Sequence, residues 1–227
     1  MPLNLYFGDR PLPDFVRVKN IDVQLLPDEN AKRKITVDFF VYRKQLLDID
    51  KVNEFVEWLL PNDNKEAKLS LPNDLSHYYM AKVSNVVDLS GSIRKGEGSI
   101  EFTCSPATRV AINPTKVTFE GSTTIYYLGT KPVKPKLTIT VKEQVSNIEL
   151  LFSNNKFNNF IKFIGDFRKN QTIVFDLNTM KVTLDGDLRM DILSLDSFPH
   201  ELMKHENQYT LISDKYSAMI EFNEAFI

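Results

Sequence analysis

A chain of 227 residues is long enough for one large or two small domains, and 42% hydrophobic against 26% charged residues allows a true buried core. The 28 basic and 30 acidic side chains nearly cancel, so a formal charge of -2 argues against nucleic acid or an anionic membrane as a partner. One cysteine, Cys104, cannot make an intrachain disulfide, and no run of about 18 apolar residues offers a membrane span.

The N-terminal stretch "MPLNLYFGDRPLPDF" lacks the basic and continuous apolar regions of a secretory signal, so synthesis in a cytoplasm is expected. The first clear element is "KITVDFFVYR", whose period of two puts Ile35, Val37, Phe39 and Val41 on one face of a strand. "DIDKVNEFVEWLLPND" changes period. Val52, Phe55, Val56, Leu59 and Leu60 form one helical stripe, predicting a helix over about 50–60. Asp48 or Asp50 can cap its start, Pro61 ends it, and Trp58 is expected to cover the edge of the stripe. "YYMAKVSN" returns to strand, with Tyr79, Ala81 and Val83 on one face and Tyr78, Met80 and Lys82 on the other. "SIEFTC" aligns Ile100, Phe102 and Cys104.

Gly129, Pro132 and Pro135 among lysines in "YLGTKPVKPK" read as a stiff, exposed connector, dividing the chain into domains 1–128 and 129–227. Beyond it come "KLTITV", "TIVFDL", "KVTLDG" and "SAMIEF", part of a set of short strands spaced as in an antiparallel sandwich, with a weak helical turn in "SFPHELMK". Turn signals such as "KGEG", "NPT", "SNNK", "NTM" and "DGD" separate the strands. The fold class is therefore mainly β, with one helix in the N-terminal domain.

Motifs that carry chemistry fail one by one. "HELMKHE" places His200 and His205 five apart, about 140° around a helix, where a zinc-protease motif needs four. It reads instead as a polar turn into the strand "QYTLIS". Asp185, Asp187 and Asp191 have the wrong glycine and no closing glutamate for a calcium loop, and "LDGDL" suits a tight hairpin turn. "GEGSIE" lacks the third glycine and following helix of a dinucleotide site. Cys104 alternates with core residues, and His77 begins a strand with no evident catalytic colleague. The basic clusters "AKRK" and "FVYRK" read as a solvated edge. No catalytic set, metal site or cofactor site is expected, which favours a binding or structural protein over an enzyme.

The order of these features resembles the distal tail proteins of siphophages, notably those infecting Gram-positive bacteria. The matching positions begin with "RPLPDFVRVKNIDV", the helix ending "VEWLL", and Asp74, Tyr78, Tyr79, Ala81, Lys82 and Val83. They continue through Gly96, Gly98, Ile100, Phe102, Cys104 and Pro106, then Gly129 and Pro135 at a domain junction, paired strands around Asp176, and Asn207 before the penultimate strand. The family's glycine ahead of that asparagine is replaced here by His205-Glu206, so that turn's geometry is expected to depart.

The resemblance implies a ring-forming β domain, typically hexameric, followed by a galectin-like antiparallel β-sandwich. It implies a hub at the tail tip of a phage or prophage virion, made in the bacterial host cytoplasm. Its partners would be other copies of itself, the tail tube protein, the tail-associated fibre or lysin protein and a receptor-binding protein. A closing ring needs complementary heterologous surfaces, and Leu12, Val16, Val18, Lys34, Arg43, Tyr78 and Lys82 are the candidate interface residues. The alternative is a carbohydrate-binding sandwich recognising bacterial cell-wall polysaccharide through exposed tyrosines and asparagines. Against it, the sole tryptophan, Trp58, lies on the helix of the other domain.

Overall fold

Alternation decides the first sheet. Ile35, Val37 and Phe39 are at most 1% exposed while the residues between them are half-buried or exposed. The computed structural model describes residues 4–26, 32–42, 49–61, 65–85 and 96–227. It divides into one unit of Met1–Ile112 with Ile227 and a second of Asn113–Phe226.

The first unit runs β1 (Tyr6–Phe7), β2 (Arg10–Pro11), β3 (Val16–Leu26), β4 (Lys32–Val41), α1 (Ile49–Leu59), β5 (Ala67–Leu71), β6 (Asp74–Val83) and β7 (Glu97–Ala111). These strands form an antiparallel sheet in the order β2-β1-β5-β6-β7-β4-β3. The expected inward residues Tyr79, Ala81, Ile100, Phe102 and Cys104 are all buried. The helix forms where its periodicity placed it, but its buried face is rotated from the expected stripe. Phe55, Trp58 and Leu59 are buried, Val52 and Val56 are half-buried, and Leu60 is 45% exposed. Trp58 is thus central to the face. Its ring meets those of Phe7 (5.8 Å), Phe55 (6.1 Å) and Phe102 (6.5 Å), and its Nε1 donates to the Arg10 carbonyl at 3.0 Å. An indole buries the largest apolar area of any side chain once its one donor is satisfied, so it displaces Leu60 from the core side. Asp48 lies outside the described residues, and Asp50 stands in the helix's first turn.

The second unit contains β8 (Thr115–Phe119), β9 (Ser122–Tyr127), β10 (Lys136–Val141), β11 (Val145–Asn154), β12 (Asn158–Phe167), β13 (Thr172–Asp176), β14 (Lys181–Leu184), β15 (Asp187–Leu188), β16 (His205–Leu211) and β17 (Tyr216–Phe222). One sheet has the order β15-β14-β13-β10-β17-β8 and the other β12-β11-β16-β9. Their inner faces share one core, including Leu137, Ile139, Phe175 and Ile220 from the first and Leu150, Phe152, Phe163 and Tyr209 from the second. This is sheet-on-sheet sandwich packing. Asp185 and Gly186 join β14 to β15 with φ of +52° and +94°, the two positive dihedrals of the expected tight turn.

The expected border at Gly129 does not coincide with a break in strand pairing: β8 and β9 precede it yet pair with β17 and β16 inside the second unit, while Leu128, Thr130, Pro132 and Lys134 around the glycine are exposed. Gly129 is buried, and a Cβ there would overlap the Tyr127 hydroxyl and stand 2.6 Å from the Ala225 carbonyl. The glycine marks a close packing contact, which composition cannot distinguish from a linker. Nor does "SFPHELMK" form a helical turn. It is irregular chain tied down by a bridge between Val133 and Leu202, with His200 and Leu202 at 3% and 0% exposure rather than in a polar turn. A 3-10 turn occurs earlier, at Met190–Ile192.

Candidate functional site

The proposed ring residues fall into three groups. Val16 is 1% exposed, enclosed in the chain's own core, and Leu12 and Val18 are half-buried against that core. Lys34 on β4 and Lys82 on β6 each stand opposite Thr103 of β7, so register brings them to one face of the sheet with Thr103 between. Lys34 Nζ meets Glu101 Oε1 at 2.7 Å, Lys82 is exposed, and Tyr78 lies under Lys68 Nζ at 5.2 Å from the ring centroid. Arg43 lies outside the described residues.

His77 has partners that the sequence did not reveal. Its Nδ1 is 2.7 Å from Asp74 Oδ1 and 2.9 Å from Ser76 Oγ, and Arg109 donates to Asp74 Oδ2 at 2.9 Å. Burial opposes ionisation of Asp74, but hydrogen bonds from His77 and Ser76 and the His77 and Arg109 charges outweigh it and hold its carboxyl below the usual range. Serine, histidine and acid coincide here without forming a nucleophilic relay. Asp74 and Ser76 approach the same ring nitrogen, whereas a relay needs the serine at the opposite one. The cluster instead pins the start of β6 to β7.

Cys104 is fully buried, and desolvation pushes its thiol up to about 12, so it is a core side chain with no usable thiolate. His200 stacks on Phe152 at 3.8 Å between centroids and shares a 2.8 Å hydrogen bond with the Tyr209 hydroxyl. His205 is exposed on β16, so His200 and His205 do not form a pair. Among the described residues, no group of three or more histidine, cysteine or carboxylate side chains is placed to hold a metal ion. No helix among them is long and apolar enough to cross a membrane.

A concave site with convergent polar chemistry lies at one end of the sheet β12-β11-β16-β9. It encloses about 740 Å³ and is lined by Tyr126, Ser153, Asn154, Asn155, Lys204, His205, Glu206 and Gln208. Strand pairing assembles it: Glu206 stands opposite Tyr126, and Gln208 opposite Ser153. Because side chains alternate along a strand, buried Tyr127, Asn207 and Tyr209 send Tyr126, Glu206 and Gln208 to the outer face. Tyr126 is 63% exposed, and its hydroxyl donates to Glu206 Oε1 at 2.9 Å. That hydrogen bond, with the Glu206 charge beside it, raises the phenol's pKa and keeps it protonated.

The turn that carries Lys204 and His205 is fixed from the inner side by Asn207, which is fully buried. Its Nδ2 donates to the carbonyls of Met203 (2.8 Å) and His205 (3.0 Å), and its Oδ1 accepts from Met203 N (2.9 Å) and Asn154 Nδ2 (3.2 Å). His205 is held between these anchors at φ +81°, left-handed backbone that favours glycine. The departure of this turn from a glycine-bearing pattern is therefore in the residue, while the backbone keeps a glycine-like geometry. Sequence reasoning singled out His205-Glu206 and Asn207 but not the groove, whose wall residues come from three separated segments.

Comparisons with known proteins agree with the two-part organisation. Residues 128–226 match the family described as the siphovirus-type tail component, C-terminal domain, and residues 23–104 match the phage tail protein RIFT-related domain. No curated protein matches the chain. Among solved structures, the Dit protein (gp 19.1) of phage SPP1 has the same fold, with a TM-score of 0.77 at 14% identity over 99% of each chain. That protein is described as a paradigm of hub adsorption apparatus in Gram-positive infecting phages. A chain of the phage P2 baseplate in its activated conformation aligns with a TM-score of 0.42 at 11% identity, over 96% of this chain and 97% of that one. With phage tail families matching both halves in order over most of its length, the chain belongs to the distal tail protein family of siphophages.

Proposed function

We propose that this protein closes into a hexameric ring at the tail tip, joining the tail tube protein to the tail-associated fibre or lysin protein and docking receptor-binding proteins through its second unit. Family membership supports a structural place in the tail. The observation that carries the ring is strand β3. It has 11 residues, ends its sheet, and among the described strands pairs with β4 alone. Val23, Leu25 and Leu26 on it are 41%, 54% and 36% exposed. A long edge strand with apolar side chains is a hazard to a lone monomer and an asset to an assembling one. A ring needs two different surfaces that meet by rotation. The second surface in this reading is the outer sheet face bearing Lys34, Tyr78 and Lys82, while Val16 takes no part because it has no free surface.

Light scattering after size exclusion, with negative-stain microscopy, tests the reading. The parent chain is expected to give ring-shaped oligomers whose population rises with concentration. Val23→Lys with Leu25→Lys is expected to give monomers with unchanged circular dichroism. A parent that stays monomeric at every concentration, or a double variant that still forms rings, refutes it.

A further inference from the structure

The groove beside Tyr126 belongs wholly to the second unit and shares no residue with β3. Its volume of about 740 Å³ lies in the range of small-ligand sites, roughly 300–1,000 Å³. Its chemistry is selective. One flat aromatic ring stands in solvent with its hydroxyl committed to Glu206, which fixes the ring's orientation before any ligand arrives. Around it are the amides of Asn155 and Gln208 and the imidazole of His205, all exposed and engaged in no hydrogen bond or ion pair. Amides and a neutral imidazole both donate and accept. Charge at the site is sparse and mixed, with Lys204 against Glu206.

A phosphate or nucleotide would need concentrated positive charge, and a peptide strand would need a free sheet edge or an apolar cleft. Here the groove lies over β16, which is paired on both sides, between Tyr126 on the edge strand β9 and Ser153 to Asn155 at the end of β11, so it presents side chains of the outer face and not a strand edge. A ring face for C–H groups, surrounded by groups that both donate and accept, fits a pyranose, whose faces are apolar and whose rim is hydroxyl. The wall is also preorganised. Asn207 and Asn154 lock the turn, and His205 is kept at a strained φ of +81° at its lip.

We propose that this groove is a binding site for a neutral polysaccharide, with Tyr126 as the stacking platform and Asn155, His205 and Gln208 as hydroxyl-reading groups. Glu206 acts as a positioning residue for the tyrosine and as an acceptor at the groove's edge.

The test is saturation-transfer NMR on the full chain with maltotetraose, chitotetraose and β-1,4-galactotetraose at millimolar concentration, followed by titration of whichever binds. Saturation is expected at the ring C–H protons of at least one sugar. Tyr126→Ala is expected to weaken that binding by roughly tenfold or more, and Tyr126→Phe to retain most of it, because the ring face rather than the hydroxyl carries the contact. Gln208→Ala, at an exposed position, provides a second variant whose fold is not at stake and is expected to weaken binding severalfold. The absence of saturation in all three sugars overturns the proposal. So does a Tyr126→Ala variant, shown folded by circular dichroism, that binds as tightly as the parent.

Discussion

His200 is enclosed with no compensating charge. Only 3% of it is exposed, its ring lies against Phe152, and its Nδ1 has no hydrogen-bond partner, while Nε2 is engaged by Tyr209. Burial lowers its pKa from 6.5 to about 3. The unfolded chain therefore takes up a proton at this residue near pH 6.5 while the folded chain refuses it until about pH 3. Across that window the unfolded state binds more protons, so stability from this group is complete above pH 6.5 and is lost steadily as pH falls. Asp74 works over a more acidic range. Its depressed carboxyl adds stability that is present above about pH 4 and is lost as acid protonates the folded form. Thermal unfolding followed from pH 7 to pH 4 separates the two. The parent's midpoint is expected to fall more steeply than that of His200→Phe, which keeps an aromatic ring against Phe152 and removes the titrating group. Parallel curves would mean that His200 does not carry the acid sensitivity.

The strands with one dry face were legible because period-two alternation and half-burial are the same fact seen in sequence and in space. Ile35 to Val41 and Ile100 to Cys104 both followed it. β11 and β12 were not among the expected strands, although Ile148, Leu150 and Phe152 alternate on β11 and are buried. β12 is interrupted near its end by Gly165 at φ +150°, which breaks the alternation after Phe163. The helix was legible in place but not in facing, because a stripe drawn through aliphatic residues gave Leu60 the place that Trp58 occupies. Single substitutions measure this difference. Trp58→Ala is expected to cost about 3–5 kcal/mol as a core deletion, whereas Leu60→Ala is expected to stay within about 0.5 kcal/mol as a surface change. Equal losses in urea denaturation would restore the original stripe. The groove was the least legible feature. Tyr126, Asn155 and His205 are brought together by register between distant strands, and no local spacing records that.

Each sheet of the second unit is finished by a strand from near its beginning. β8 ends one sheet against β17, and β9 ends the other against β16. Phe119, Ile125 and Tyr127 on these two strands belong to the shared core. The domain border proposed on this basis is at 112/113, not 128/129. Two fragments decide between them. Residues 113–227 are expected to unfold in one cooperative transition, while 129–227, stripped of both edge strands, is expected to bind hydrophobic dyes and to lack a sharp transition. A cooperative 129–227 fragment would return the border to the glycine. The same pairings set a schedule during synthesis. β8 and β9 leave the ribosome long before their partners at 205–222 exist, so both sheets stay open at one side until those residues have been translated. A ribosome that stalls or terminates before residue 216 therefore releases a product without β17, the central partner of β10 and β8. Such truncated chains leave β8 and one side of β10 unpaired and uncover the apolar residues that β17 packs against, so closure of the second unit's core waits on this one late strand.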